Sequence, residues 1–244
     1  RGTHLGDEGI SALSRGFVHH KGLVNLVLEK CGFTEKGAKA LASSLFDCNS
    51  LAHVSIAENN VRDGGVKHVA EAVSALTTLK SLNVHDTTIG KAGFEALAAL
   101  VRASGSITFL DASSNQDRGP GMRELGKALL ESPHRSQLRF LKCDAFDTSE
   151  GVTELHLRGQ MLVAGVAPLL SAVAINNRAL TAIDISRNGL GPTGASALAR
   201  GVAGSKSLAK LNVAQNYIEP IGIPDLAKAL AESTSLTECD LSSN

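Results

Sequence analysis

Tryptophan is absent from this chain, and aromatic residues make up only 3% of it, as seven Phe and one Tyr. A folded interior must then be built from aliphatic side chains. Neither sign of charge prevails: Lys plus Arg and Asp plus Glu each number 24. That balance excludes a global field steering the molecule to nucleic acid or anionic lipid. The four cysteines, Cys31, Cys48, Cys143 and Cys239, form no C-x-x-C pair, so zinc-site and thioredoxin-type readings lack support. An N-x-S/T acceptor is also missing, and the expectation is a reducing, intracellular compartment, cytoplasm before any organelle. The longest apolar run, Met161 to Ile175, has 15 residues, short of the ~20 of a membrane span. The phosphate-cradling G-x-x-x-x-G-K-S/T is absent too, so no cofactor, metal, nucleic acid or inserted membrane is expected.

What the chain has is a period. Leu51, Val54, Ile56, Asn59, Val61, Gly65, Val69 and Val73 recur 28 residues on as Leu79, Leu82, Val84, Thr87, Ile89, Gly93, Leu97 and Val101. They return as Leu180, Ile183, Ile185, Asn188, Leu190, Gly194, Leu198 and Val202, then as Leu208, Leu211, Val213, Asn216, Ile218, Gly222, Leu226 and Leu230. Copies start at 23, 51, 79, 107, 138, 152, 180, 208 and 236. The L-x-x-L-x-L half ends in a period of two, which predicts a short strand with one buried face. The Gly-x-x-x-L-x-x-x-L half has helical spacing. One strand and one helix cannot bury their own apolar faces, so the copies must stack. Strands stack at ~4.8 Å and helices at ~8–10 Å, so the stack curves with its strands inside. The recurrent Gly residues, including those of "GDEG" (Gly6–Gly9) and "DRGPG" (Asp117–Gly121), read as close packing at helix starts. The asparagine position, filled by Cys31, Thr87 and Gln160 in other copies, reads as structural.

This pattern resembles the leucine-rich repeat superfamily, in its 28-residue ribonuclease-inhibitor-like class, over nearly the whole chain. The resemblance implies a right-handed α/β solenoid, a horseshoe with parallel strands on the concave face and helices on the convex face. It implies little chemistry, because such a fold hosts many unrelated tasks. The chain begins with Arg1 and starts and ends within a repeat, which reads as a piece of a longer protein forming one solenoid over 1–244.

One turn is irregular. From Ile107 to Leu138 is 31 residues, and from Leu138 to Val152 is 14. "CDAFDTSEG" is too short for a crossover containing a helix. A helix-less turn at 138–151 is therefore expected between two arcs, 1–137 and 152–244, with a helix missing from the convex layer. The following helix, Met161 to Ile175, is apolar almost all round, and Pro168 should disturb its first turn. Either Val166, Leu170 and Ala174 face the core with Val173 beside them, or Leu169 and Ile175 form an exposed convex patch for docking.

Residues between the strand leucines face the concave side. One column there holds Phe109 and Phe140 among mostly polar neighbours, either as interface anchors or as rings stacked on each other. The next holds Asp111, Lys142, His156 and Asp184, whose alternating charge suggests pairing along the ladder, with Asp144 beside Arg158 a column further. These form either a recognition stripe or a solvated polar face. His85, Asp86 and Asp111 lie near one another in the stack, but no nucleophile, oxyanion hole or metal-ligand spacing accompanies them, so no enzyme is expected. Cys31, Cys143 and Cys239 are expected to be buried and unreactive.

The function expected is a scaffold or recognition domain that binds a partner protein through its concave face, at Phe109, Asp111, Phe140, Lys142, His156, Arg158 and Asp184. The alternatives are a subunit of a large assembly docked at Leu169 and Ile175, an enzyme inhibitor, or a GTPase-regulating module, the last two implied by the resemblance. The neutral charge and four cysteines depart from the acidic, cysteine-rich ribonuclease inhibitors.

Overall fold

A computed structural model describes residues 4–17, 20–117, 119–132 and 138–244; Arg1 and Arg118 lie outside them. In chain order the elements are α1 (Gly6–Phe17), β1 (Asn25–Val27), α2 (Glu35–Leu45), β2 (His53–Ser55), α3 (Arg62–Ser74), β3 (Ser81–Asn83), α4 (Lys91–Ala103), β4 (Phe109–Asp111) and α5 (Pro120–Glu131). There follow β5 (Phe140–Lys142), β6 (Glu154–His156), α6 (Ala167–Asn176), β7 (Ala182–Asp184), α7 (Gly191–Gly204), β8 (Lys210–Asn212), α8 (Glu219–Glu232) and β9 (Glu238–Asp240). Every strand pairing is parallel and joins residues at equivalent repeat positions. Leu26, Val54, Leu82, Leu110 and Leu141 stand in one row, and Leu155, Ile183, Leu211 and Cys239 in another. The structure is a leucine-rich-repeat α/β solenoid with an aliphatic core between strand and helix layers.

The asparagines tie coil to coil. Asn59 Oδ1 accepts from the amides of Cys31 and Gly32, while its Nδ2 donates to the carbonyls of Leu28, Ile56 and Ala57. Asn115, Asn188, Asn216 and Asn244 also bond both to their own loop and to the coil before. The residue just before each ladder asparagine, Glu58, Ser114, Arg187, Gln215 and Ser243, has φ of 55–58°. That left-handed backbone costs roughly 1–2 kcal/mol per residue, offset here by the several bonds each asparagine makes. Gln160 departs from the expectation: its longer side chain is exposed and reaches only its own loop, at His156 O.

Carboxylates add a second tie between coils. Asp7 of α1 accepts from Thr34 N, Thr34 Oγ1 and Gly37 N at the start of α2, each at 2.8 Å. Asp63 of α3 does the same for Gly90 N and Gly93 N of α4. Burial pushes the Asp7 carboxyl up, but these hydrogen bonds and the charge of Lys36 outweigh it and hold the group below its ordinary value. The recurrent glycines sit in this crowded seam. A Cβ on Gly93 would lie 2.8 Å from Asp63 Oδ1 and 2.6 Å from Ile89 Cβ.

The turn at 138–151 carries no helix among its described elements, and the helix layer closes up across it. α5 packs directly against α6, so tightly that a Cβ on Gly126 would fall 2.7 Å from both Leu169 N and Pro168 Cβ. The break lies in the strand layer, where β1–β5 form one sheet and β6–β9 another. Its cause is local. In regular coils the residue after the strand donates to the next coil, as Val84 N does to Asp111 O and Leu157 N to Asp184 O. After β5, Cys143 N donates instead to Phe146 O, and Thr148 returns antiparallel to bond Leu141 through its amide and its hydroxyl. Chain 143–148 thus covers the open edge of β5, with Phe146 and Thr148 buried, and leaves β6 nothing to pair with.

Closure of the helix layer also decides the fate of the apolar segment. Leu169 is fully buried and Ile175 half-buried against the core, so of the two alternatives the exposed convex patch does not form. Val166, Leu170, Val173 and Ala174 are buried. Pro168 lies in the first turn of α6, after a 3₁₀ turn at Ala164–Val166.

Two substitutions test the broken sheet and the closed helix layer. Gly126→Ala is expected to lower unfolding free energy by about 1–3 kcal/mol in a urea titration, because backbone faces the new methyl. Thr148→Val, nearly isosteric, should cost about 1–3 kcal/mol by stripping Leu141 N of its acceptor. For Asp7 the depressed carboxyl contributes stability that is full above the ordinary pKa and lost as pH falls through the lowered one. Asp7→Asn should therefore be most destabilising near neutrality, with the difference from wild type shrinking below about pH 4.

Candidate functional site

β4 and β5 carry the centre of the concave surface. Phe109 and Phe140 are register partners, both half-buried, and Asp111 and Lys142 are the register partners two residues on. Period-two geometry puts these two pairs on one face of the sheet. Lys142 Nζ lies 3.9 Å from Asp111 Oδ2 and 3.8 Å from Asp147 Oδ2. Asp147, on the returning segment, was not among the sequence candidates.

The Asp111 carboxylate has a further role. Its Oδ1 accepts from Ser113 N at 3.0 Å and from Ser113 Oγ at 2.6 Å, and His85 Nδ1 sits 2.9 Å from the same hydroxyl. The hydroxyl has one hydrogen, which it gives to Asp111, so His85 Nδ1 is the donor to Ser113 Oγ. The order His–Ser–Asp therefore gives the serine no imidazole acceptor for its proton. Asp184 Oδ1 accepts similarly from Ser186 N, Asn83 Oδ1 from His85 N, Asn212 Oδ1 from Ala214 N and Asp240 Oδ1 from Ser242 N. This column is a series of side-chain-capped turns at the strand ends. The signal was legible as Asp or Asn recurring at 28-residue spacing.

The expected continuous charge ladder divides at the sheet break. Lys142 and His156 lie in different sheets. His156 is the register partner of Asp184, yet its Nε2 lies 3.4 Å from Glu154 Oε2 on its own strand. Asp144 does not meet Arg158; it accepts from Ser114 N and Asn115 N of the preceding coil. Arg158 is exposed, and among the described residues it makes no ion pair. The structure thus brings Phe109, Phe140, Asp111 and Lys142 together on one sheet, and His156 and Asp184 on the other.

Cys31 and Cys143 are buried as expected, and desolvation pushes the Cys143 thiol up to about 11. Cys239 differs: on β9, the outer strand of its sheet, it is half-buried. Among the described residues, no cluster of three or more His, Cys, Asp or Glu could hold a metal, and no helix is long and apolar enough to cross a membrane.

A family model described as a leucine-rich repeat matches residues 75–98 and 176–199. The human NACHT, LRR and PYD domains-containing protein 14 is 31% identical over 199 residues, covering 80% of this chain and 17% of that protein. Pig (Sus scrofa) ribonuclease inhibitor is 28% identical over 205 residues, covering 83% of this chain and 41% of the inhibitor. Among solved structures, the leiomodin-1 actin-binding site 2 aligns with 55% of this chain and 76% of its own, at 19% identity and a TM-score of 0.45. The repeat is the leucine-rich repeat in its ribonuclease-inhibitor-like class, and the chain spans less than half the length of either of these two curated relatives.

The turn-capping role of Asp111 separates its contribution from that of its ion pair. Lys142→Ala should change unfolding free energy by less than about 1 kcal/mol, since the pair is long and partly solvated. Asp111→Ala should cost about 1–3 kcal/mol, because the Ser113 amide and hydroxyl both lose their acceptor. Parallel denaturation curves of the two variants read the difference.

Proposed function

We propose that the chain is a non-catalytic, intracellular protein-binding scaffold: a single solenoid in two arcs, 1–137 and 152–244, that recognises a partner protein with its concave face. The observation that carries this reading is the Phe109–Phe140 pair. Two of only seven Phe stand side by side and half-exposed on the inner sheet, with Lys142 beside them. Large rings that are already ordered contribute apolar contact at little further entropic cost. His156, Arg158 and Asp184 on the second sheet extend the surface with polar contacts across the break.

The partner is a protein rather than a nucleic acid, since the chain has no net charge to hold a phosphate backbone. Inhibition of an enzyme, the task named by the ribonuclease inhibitor relative, is one form such binding takes. The same neutrality disfavours a strongly basic target.

A native pull-down with the full chain, followed by calorimetric titration of the partner recovered, tests the assignment. The Phe109→Ala and Phe140→Ala double variant should weaken binding by about 2 kcal/mol or more, the range of interface hot spots, with its unfolding transition still cooperative. Affinity equal to that of the wild type would remove these residues from the interface.

A further inference from the structure

The break between β5 and β6 leaves an opening. A cleft of about 550 Å³ lies between the start of β5 and the α6-to-β7 turn, lined by Arg139, Phe140, Ile175, Asn177, Arg178 and Ala179. Each side brings an arginine and apolar surface. Arg139 and Arg178 are exposed cations that make no ion pair among the described residues. Phe140, Ile175 and Ala179 supply apolar surface.

One lining residue carries an unmet donor. Asn177 is 3% exposed, and its Nδ2 has no hydrogen-bond partner. The amide is not free to exchange its ends, because Oδ1 accepts from Ala179 N at 2.9 Å. A buried donor left without an acceptor is destabilising. The two exposed guanidiniums of the cleft select an anionic acceptor, and the guanidinium fork matches a carboxylate.

We infer that this cleft is a carboxylate-binding anchor point, which receives an Asp or Glu side chain next to an apolar residue on an extended segment of the partner protein. The inference rests on the scaffold reading above and deepens it. Phe140 belongs both to the cleft and to the concave Phe pair, so a segment lying across β4 and β5 runs directly into the arginines. The apolar wall favours a short acidic side chain flanked by hydrocarbon over a phosphodiester, and the neutral chain offers a polyanion no long-range attraction.

Panning of displayed random heptapeptides on the full chain tests this, followed by fluorescence anisotropy of the enriched peptides. The enriched sequences should share an Asp or Glu adjacent to an apolar residue. Their affinity should fall at least about tenfold for the Arg139→Gln and Arg178→Gln double variant, whose changes are at exposed positions and spare the core. Replacing the peptide's acid by its amide should cause a similar loss. Enrichment without an acid, or affinity indifferent to the two arginines, overturns the inference. Loss on Phe109→Ala, which does not line the cleft, with no loss on the arginine variant would sustain the concave-face reading and overturn the anchor. Displacement of the peptide by inorganic phosphate but not by acetate at equal concentration would make the cleft a phosphate site and likewise overturn it.

Discussion

A strand needs about half the spacing of a helix, and these coils must satisfy both at once. Curvature absorbs the mismatch where every coil has one of each. At 138–151 a strand comes without a helix, and curvature alone does not absorb it. The helix layer keeps its contact, with α5 seated on α6 through Gly126. The strand layer gives way, because strand edges can be satisfied locally while an apolar helix face cannot. Thr148 and Phe146 supply that local satisfaction by folding back on β5.

The remaining coils are held at fixed pitch by polar ties. Asn59 and Asn115 serve the first sheet, and Asn188, Asn216 and Asn244 the second. Cys31 and Thr87 stand in for asparagine within the first sheet, and at the coil that follows the sheet break Gln160 is exposed. The Asp7 and Asp63 carboxylates brace the helix starts in the same direction, from one coil to the next. These bonds are buried or crowded, so each turn's backbone is committed before any partner arrives.

The concave surface inherits both features. Its acidic column is partly spoken for by turn capping, as at Asp111 and Asp184. Where the sheet breaks, a cleft opens between the start of β5 and the α6-to-β7 turn.

The sequence by itself determined the repeat, its parallel register and the buried rows, because a 28-residue spacing of apolar residues admits one stacking. It also located the helix-less turn, since 14 residues from Leu138 to Val152 leave no room for a helix. Only the tertiary structure decided which layer would open, and hence that Leu169 is buried rather than exposed and that Lys142 and His156 are not ladder neighbours. The physical reason is that apolar pattern reports what must be buried, not against what. Whether α5 or an intervening helix covers Leu169, and whether β6 or its own returning chain completes β5, depends on competition between contacts far apart in sequence.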